Sequence, residues 1–297
     1  MEDLSSAVKF SPLSTSFVNE GVDTLLNRIC VRAPYFALQD FVVPSDGTVT
    51  CNFPTEVDPG DEGPITMAEL ARHSAIAGLC AVASSFDDGD RRYYLARTGT
   101  MTRLSDTAYV PGAAISAKAT GALTSQRTAK AQCTVTMGGR SEVRMEIGYS
   151  VFTESAFDKF FGYLRRDTDD HLPSNPYSTP MPMQDVHVET SSATAVSSVS
   201  PEQCIGHFSG YPAMPIAYLL SAKFELGAIL ASEILAGRRA ILESSELIDT
   251  RALIPPNTRV DLSAVVEHGA EDSCTINLST TVSGEVAVLA RASYRPV

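Results

Sequence analysis

His207 stands in the 25-residue phrase GHFSGYPAMPIAYLLSAKFELGAIL, just ahead of a proline-punctuated turn and a long apolar run. Imidazole changes charge near neutral pH, so a histidine held beside an apolar helix is suited to move protons in a dry site. In the first half, Glu69-Leu70-Ala71-Arg72-His73 places a carboxylate and a second histidine four residues apart, on one face of a helix. Pro215 is expected to open the helix after His207, and Pro64 with Ile65 the helix of the first half. The unpaired N–H groups at such a start, Ile216 or Ala217 in the second half, favour negative charge on a carbonyl oxygen, and the Gly210 N–H is a further donor. Tyr211 and Tyr218 bring hydroxyls to the same region. Each either bonds a substrate hydroxyl or packs its ring and keeps its OH in water.

Each of these residues also has a purely structural reading. Glu69 can answer the helix dipole as a first-turn carboxylate, and His73 can be a satisfied core histidine. His171, His187 and His268 lack any such context and read as surface residues. Cys30, Cys51, Cys80, Cys133, Cys204 and Cys274 show no CxxC or Cys/His spacing, which argues against zinc and against a disulfide framework. They read as packing residues, with a Cys204–His207 nucleophilic pair as the alternative.

The elements that must position these groups occur twice. Behind Asp61-Glu62-Gly63-Pro64 comes the apolar run ITMAELARHSAIAGLCAVASS, then four strand-like runs ending in RSEVRMEIGYSVF. The second half repeats helix and four strands, from RRAILESSELI to EVAVLARASYRPV. Gly138-Gly139 and Ser283-Gly284 supply the turn before the last strand of each half. The offsets are 145 residues from Gly139 to Gly284 and 151 from Pro64 to Pro215, too long for a solenoid repeat and suited to a duplicated domain. The Pro- and Ser-rich stretch from 167 reads as a linker, 167–183, between modules 1–166 and 184–297. A short helix is expected within Val18 to Ile29, a first strand within Tyr35 to Val43, a closing amphipathic helix in SAFDKFFGYLRR, and an opening strand of the second module within Gln184 to Val199.

With 297 residues, 44% of them apolar, the chain has material for one large or two ordinary cores. Lys223, Glu225 and Glu233 interrupt its most apolar window, so no membrane span is expected, and the first residues do not read as a signal peptide. A cytoplasmic location follows as the expectation. A net charge of −12 disfavours nucleic acid as a partner. Arg91-Arg92, Arg165-Arg166 and Arg238-Arg239 are the pairs able to form a local basic patch.

The phrase around His207 resembles the acyl-thioester site of hotdog-fold enzymes, and within them the bacterial 3-hydroxyacyl carrier-protein dehydratases, whose motif runs GHFPGxPxMPG. The resemblance implies an α+β double hotdog, two antiparallel sheets each wrapped around a long central helix and joined as one continuous sheet. It implies dehydration of a 3-hydroxyacyl thioester, carried on coenzyme A or the phosphopantetheine of an acyl carrier protein, in polyketide, fatty-acid-like or other specialised metabolism. No other cofactor and no metal are expected, and a homodimer is. In the single-unit relatives a carboxylate lies fourteen residues after the histidine, where this chain has Ser221. Modular polyketide dehydratases carry the acid in the other half of a fused pair. By that resemblance His207 would act as base and Glu69 as acid across the modules, with His73, Gly210, Tyr211, Pro215, Ile216, Ala217, Tyr218 and Ser221 lining the substrate. The reciprocal site, Thr55 or a neighbour opposite Ser221, would be dead. Ser209 for the motif's proline and Ile216 for its glycine are departures. The resemblance extends to fused hotdog thioesterases, for which Glu69 would be the base and Ser221, Glu225 or Gln203 would place the water. A non-catalytic acyl-binding pair is the third reading.

Overall fold

The computed structural model describes residues 20–43, 47–57, 64–106, 108–166 and 175–297. The first half contains α1 (Glu20–Asn27), β1 (Gln39–Val42), β2 (Thr48–Asn52), α2 (Met67–Ala83), β3 (Arg92–Arg103), β4 (Ile115–Ser125), β5 (Thr128–Met137), β6 (Arg140–Thr153) and α3 (Glu154–Phe161). The second contains β7 (Gln184–Val188), β8 (Ser192–Ser198), α4 (Ile216–Ile234), β9 (Ala240–Thr250), β10 (Arg259–Gly269), β11 (Cys274–Val282) and β12 (Glu285–Pro296).

The strands form one 12-stranded antiparallel sheet in the order β1-β2-β4-β5-β6-β3-β9-β12-β11-β10-β8-β7. Read from either edge inward, the order repeats, and the halves meet where Thr98 and Gly99 of β3 pair with Asp249 and Ile248 of β9. Alternation drives this layout. Ala129, Ala131, Cys133, Val135 and Met137 of β5 face inward, and the residues between them are more exposed. Gly138-Gly139 and Ser283-Gly284 have positive φ at both turn residues, as tight hairpins require.

α2 and α4 are apolar nearly all round, so each is buried against the sheet and against the other helix. One device recurs. Tyr149 of β6 sends its hydroxyl across Gly78 to donate to the Ala75 carbonyl at 2.8 Å, and Tyr294 of β12 crosses Gly227 to the Phe224 carbonyl at 3.2 Å. A Cβ on Gly78 would come within 2.6 Å of the Tyr149 hydroxyl, so glycine is what lets the ring lie against the helix. Both helix positions repeat after 149 residues, from Ala75 to Phe224 and from Gly78 to Gly227.

Two expectations change in detail. α2 begins at Met67 with Thr66 as its N-cap, so Pro64 and Ile65 precede the helix and do not open it. The segment from Gln184 is a two-strand hairpin at the sheet edge. Asp61-Glu62-Gly63, His171 and much of the expected linker lie outside the described residues.

Lys223 is buried on α4, 1% exposed, with Nζ donating to the Val288 carbonyl at 3.1 Å. Desolvation pushes its pKa down from 10.5 to about 7. Between those two values the unfolded chain binds more protons at this position than the folded one, so Lys223 makes stability rise with pH across that window. Lys223→Met is expected to stabilise the fold at pH 7 by about 1–3 kcal/mol, because an unneutralised amine leaves the interior. It should also flatten the rise in stability between pH 7 and 10.5 relative to wild type, read from urea midpoints.

Candidate active site

The turn carrying His207 is held by backbone pairing to the segment after α1. Val31 and His207 form an antiparallel bridge, Arg32 N–H donates to the Gly206 carbonyl at 2.8 Å, and Ser209 N–H donates to the Cys30 carbonyl at 3.0 Å. Gly206 has φ +77°, and a Cβ there would run into the Arg32 carbonyl oxygen. Phe208 takes a left-handed φ of 69°, an uncommon conformation for a bulky residue, held here by packing on Tyr93 and Phe157. Tyr211 closes the turn by donating its hydroxyl to Asp158 of α3 at 2.6 Å.

The His207 ring lies edge-on to Tyr35, 5.0 Å between centroids, and tilted against Phe208 at 4.1 Å. Its Nδ1 is 2.9 Å from the Ala213 carbonyl oxygen. A carbonyl only accepts, so Nδ1 carries the proton and donates, and Nε2 keeps its lone pair. Burial pushes the pKa down to about 4, which leaves the ring neutral at physiological pH.

His207 lines a cavity of about 110 Å³ with Tyr35, Ala71, Ala75, Leu79, Ile216, Ala217 and Leu220. The start of α4 forms part of its wall. Pro215 is the N-cap without a capping side chain, and its carbonyl accepts from Tyr218 and Leu219. Ile216 and Ala217 therefore carry the first two N–H groups of the helix, which have no intrahelical acceptor. Arg97 and Arg251 also line this cavity, and no Asp or Glu does among the described residues.

Glu69 lines a different cavity, of about 340 Å³, with Arg72, Tyr218, Ser221, Glu225, Arg103 and Arg239. Its carboxylate accepts from the N–H of Glu56 at 2.6 Å and of Val57 at 3.4 Å, and burial lifts its pKa to about 8. His73 is fully buried, stacked on Phe53 at 4.2 Å, 3.2 Å from Arg72 Nη2 and 3.9 Å from Glu69. Desolvation first and the Arg72 charge second keep it neutral. Glu56, Glu69 and His73 present ligand-type atoms within 4.8 Å of one another, but Arg72 pairs with Glu56 and already supplies the positive charge a cation would bring.

His207 and Glu69 thus line different cavities. Among the described residues Ala217 alone lines both cavities, and Arg72 stacks its guanidinium over Tyr35 and Tyr177 between the two regions. The physical reason is the position of Glu69 in the first turn of α2. The α2 residues that reach the His207 cavity, Ala71, Ala75, Ile76 and Leu79, lie further along the helix. Other expected contacts also move. Tyr211 is bound to α3, and neither it nor Gly210 lines either cavity. Tyr218 and Ser221 face the second cavity, where Ser221 Oγ donates to the Tyr218 carbonyl at 2.6 Å and accepts from Met181 N–H at 3.0 Å. Ile216 and Ala217 stand at the His207 cavity, and His73 packs in the core. Tyr35, Glu56, Arg72, Arg97 and Arg251 were missed. Arg72 had a signal, since it stands 149 residues before Ser221, the offset at which the two helices repeat.

No protein-family model matches the chain, and no curated protein matches it. Solved structures do. The TesB protein of Mycobacterium avium subsp. paratuberculosis superposes with TM-score 0.59 at 8% identity, over 94% of this chain and 98% of that one. An acyl-ACP thioesterase from Bacteroides thetaiotaomicron gives 0.54 at 10% identity, over 84% and 98%. The 12:0-ACP thioesterase of Umbellularia californica gives 0.52 at 11%, over 84% and 98%. The fold is that of the hotdog thioesterases. At these identities the likeness carries the hotdog fold alone, and α2 and α4 are the long helices against which its sheet packs. No described helix is long and apolar enough to cross a membrane.

Proposed function

We propose that this chain is a double hotdog, modules 1–166 and 184–297 joined by 167–183, that hydrolyses an acyl thioester at the His207 cavity. The observation that carries the reading is the tautomer of His207. An imidazole whose Nδ1–H is committed to the Ala213 carbonyl offers Nε2 as a base, beside the uncapped start of α4.

The chemistry needs one base and one oxyanion site. The thioester carbonyl oxygen lies against the Ile216 and Ala217 N–H groups, where the helix dipole stabilises developing negative charge. Nε2 takes a proton from water as the water oxygen bonds to the carbonyl carbon. The C–S bond then breaks, the imidazolium returns its proton to the departing sulfur, and acid and free thiol leave. Arg97 and Arg251 suit the phosphates of coenzyme A or of a phosphopantetheine arm, although Arg251 is also paired with Asp249 at 2.9 Å.

Dehydration, the first expectation, asks for a second group that protonates the departing hydroxyl. Glu69 was cast in that role and lines the other cavity, and no carboxylate lines this one among the described residues. Hydrolysis uses what is present, and the solved structures of this fold compared above are named as thioesterases, apart from the TesB protein.

The test is thiol release from a series of acyl-CoA and acyl-carrier thioesters. A cavity of about 150 Å³ holds a benzene, so about 110 Å³ suits an acyl chain of roughly four carbons. Leu79, 4% exposed, contributes to its wall. Leu79→Ala is expected to move the preferred chain length upward by about two carbons, read as a shift in the kcat/KM maximum. An unchanged length profile would remove this cavity as the acyl site.

A further inference from the structure

Among the described residues three tyrosines line the His207 cavity, and their hydroxyls differ. Tyr149 donates to the Ala75 carbonyl at 2.8 Å. The Tyr94 hydroxyl is enclosed in the core, out of reach of the cavity. Tyr35 is 5% exposed, and its hydroxyl has no hydrogen-bond partner among the described residues, yet it is not sealed off as the Tyr94 hydroxyl is. A buried hydroxyl in that state is completed by a polar atom that enters the cavity.

Packing does not account for that hydroxyl. The Tyr35 ring lies edge-on to Tyr177 at 5.2 Å and to His207 at 5.0 Å, contacts that phenylalanine would make equally well. The segment that carries Tyr35 is also the one that pairs with the His207 turn, through the Val31–His207 bridge and the Arg32 N–H, so the two rings are fixed together. Around them Val31, Ala71, Ala75, Leu79 and Leu220 make the wall apolar. A plain alkyl chain entering there takes water from the hydroxyl and returns no hydrogen bond, whereas an oxygen on the chain restores it. A phenol both donates and accepts, so a hydroxyl or an oxo group serves. Because the Tyr35 ring abuts the imidazole, and so the thioester carbonyl, that oxygen belongs on C2 or C3 of the acyl group. Burial pushes the Tyr35 pKa up, so the phenol keeps its proton and holds the oxygen without expelling it as water.

We propose that Tyr35 makes this cavity selective for a short acyl thioester with a hydroxyl or oxo oxygen on C2 or C3. The thioester and its hydrolysis rest on the reading above, and the demand for an oxygen rests on Tyr35.

Thiol release from 3-hydroxy-, 3-oxo- and 2-hydroxybutanoyl-CoA, set against butanoyl-CoA, tests this directly. The best oxygenated substrate is expected to exceed butanoyl-CoA at least tenfold in kcat/KM. In Tyr35→Phe that ratio should fall to within about threefold of one, because the substitution removes the hydroxyl and keeps the ring contacts. A substitution that merely loosened the fold would lower all the substrates together and leave the ratio standing. Calorimetric titration of the same thioesters into His207→Asn, which is not expected to turn them over, reads the preference without hydrolysis. There the best oxygenated ligand should bind at least tenfold tighter than butanoyl-CoA, and the double variant His207→Asn with Tyr35→Phe should lose that margin. Absence of binding, equal handling of butanoyl and oxygenated thioesters, or a preference that survives Tyr35→Phe would each overturn the proposal. Thiol release by wild type without the preference sinks this inference alone. A Tyr35-dependent preference in binding without thiol release sinks the hydrolysis reading alone.

Discussion

His207→Asn is expected to lower kcat for thiol release by about a hundred- to ten-thousand-fold while leaving KM within about threefold. Asparagine can still donate from its amide to the Ala213 carbonyl, so the turn keeps that hydrogen bond and loses only the base at Nε2. Burial holds the His207 pKa at about 4, so wild-type activity should be flat through neutral pH and fall as the imidazole protonates near pH 4. The variant should lack that acid limb. A variant that retains most of the wild-type kcat would mean that another group activates the water. Glu69→Gln should alter kcat far less, because Glu69 lines the other cavity.

Gly206→Ala should destabilise the protein by about 2–4 kcal/mol and remove most of its activity. The residue sits at φ +77° with its would-be Cβ against the Arg32 carbonyl oxygen, so the new methyl meets both backbone strain and a fixed backbone atom. Relief requires the turn to move away from Arg32, which breaks the bond from Arg32 N–H to Gly206 and with it the Val31–His207 bridge. Gly112→Ala is the control. Gly112 has φ +81° with open space around its Cβ, so only the conformational cost of about 1 kcal/mol applies. Urea unfolding of both variants should separate them by more than about 1 kcal/mol. Equal losses would show that the contact with Arg32 contributes nothing.

Much of the architecture was legible because periodicity is a local property. The apolar runs that became α2 and α4, the alternation in TAKAQCTVTM, and the glycine turns at 138–139 and 283–284 all resolve within a few residues. The His207 phrase was legible for the same reason, since turn, cap and helix are contiguous. What failed was a tertiary inference. The spacing of Glu69 and His73 sets both on one face of α2 but leaves open which turn of α2 meets the start of α4. Packing brought Ala71, Ala75 and Leu79 to the His207 cavity and left Glu69 with Ser221. The Tyr149–Gly78 and Tyr294–Gly227 locks were equally hidden, because each joins residues about seventy positions apart whose types alone do not announce a contact. They give the cleaner measure of the internal repeat, a helix offset of 149 residues, at which Arg72 stands opposite Ser221.

Product analysis addresses the central claim most directly. A 3-hydroxyacyl thioester is a substrate that either reaction could consume, and mass spectrometry of its turnover by wild type and His207→Asn separates them. Hydrolysis at His207 gives free thiol and the intact 3-hydroxy acid from wild type, and almost none of either from the variant. An enoyl thioester with its sulfur still acylated, or free thiol formed equally by both proteins, would contradict the account.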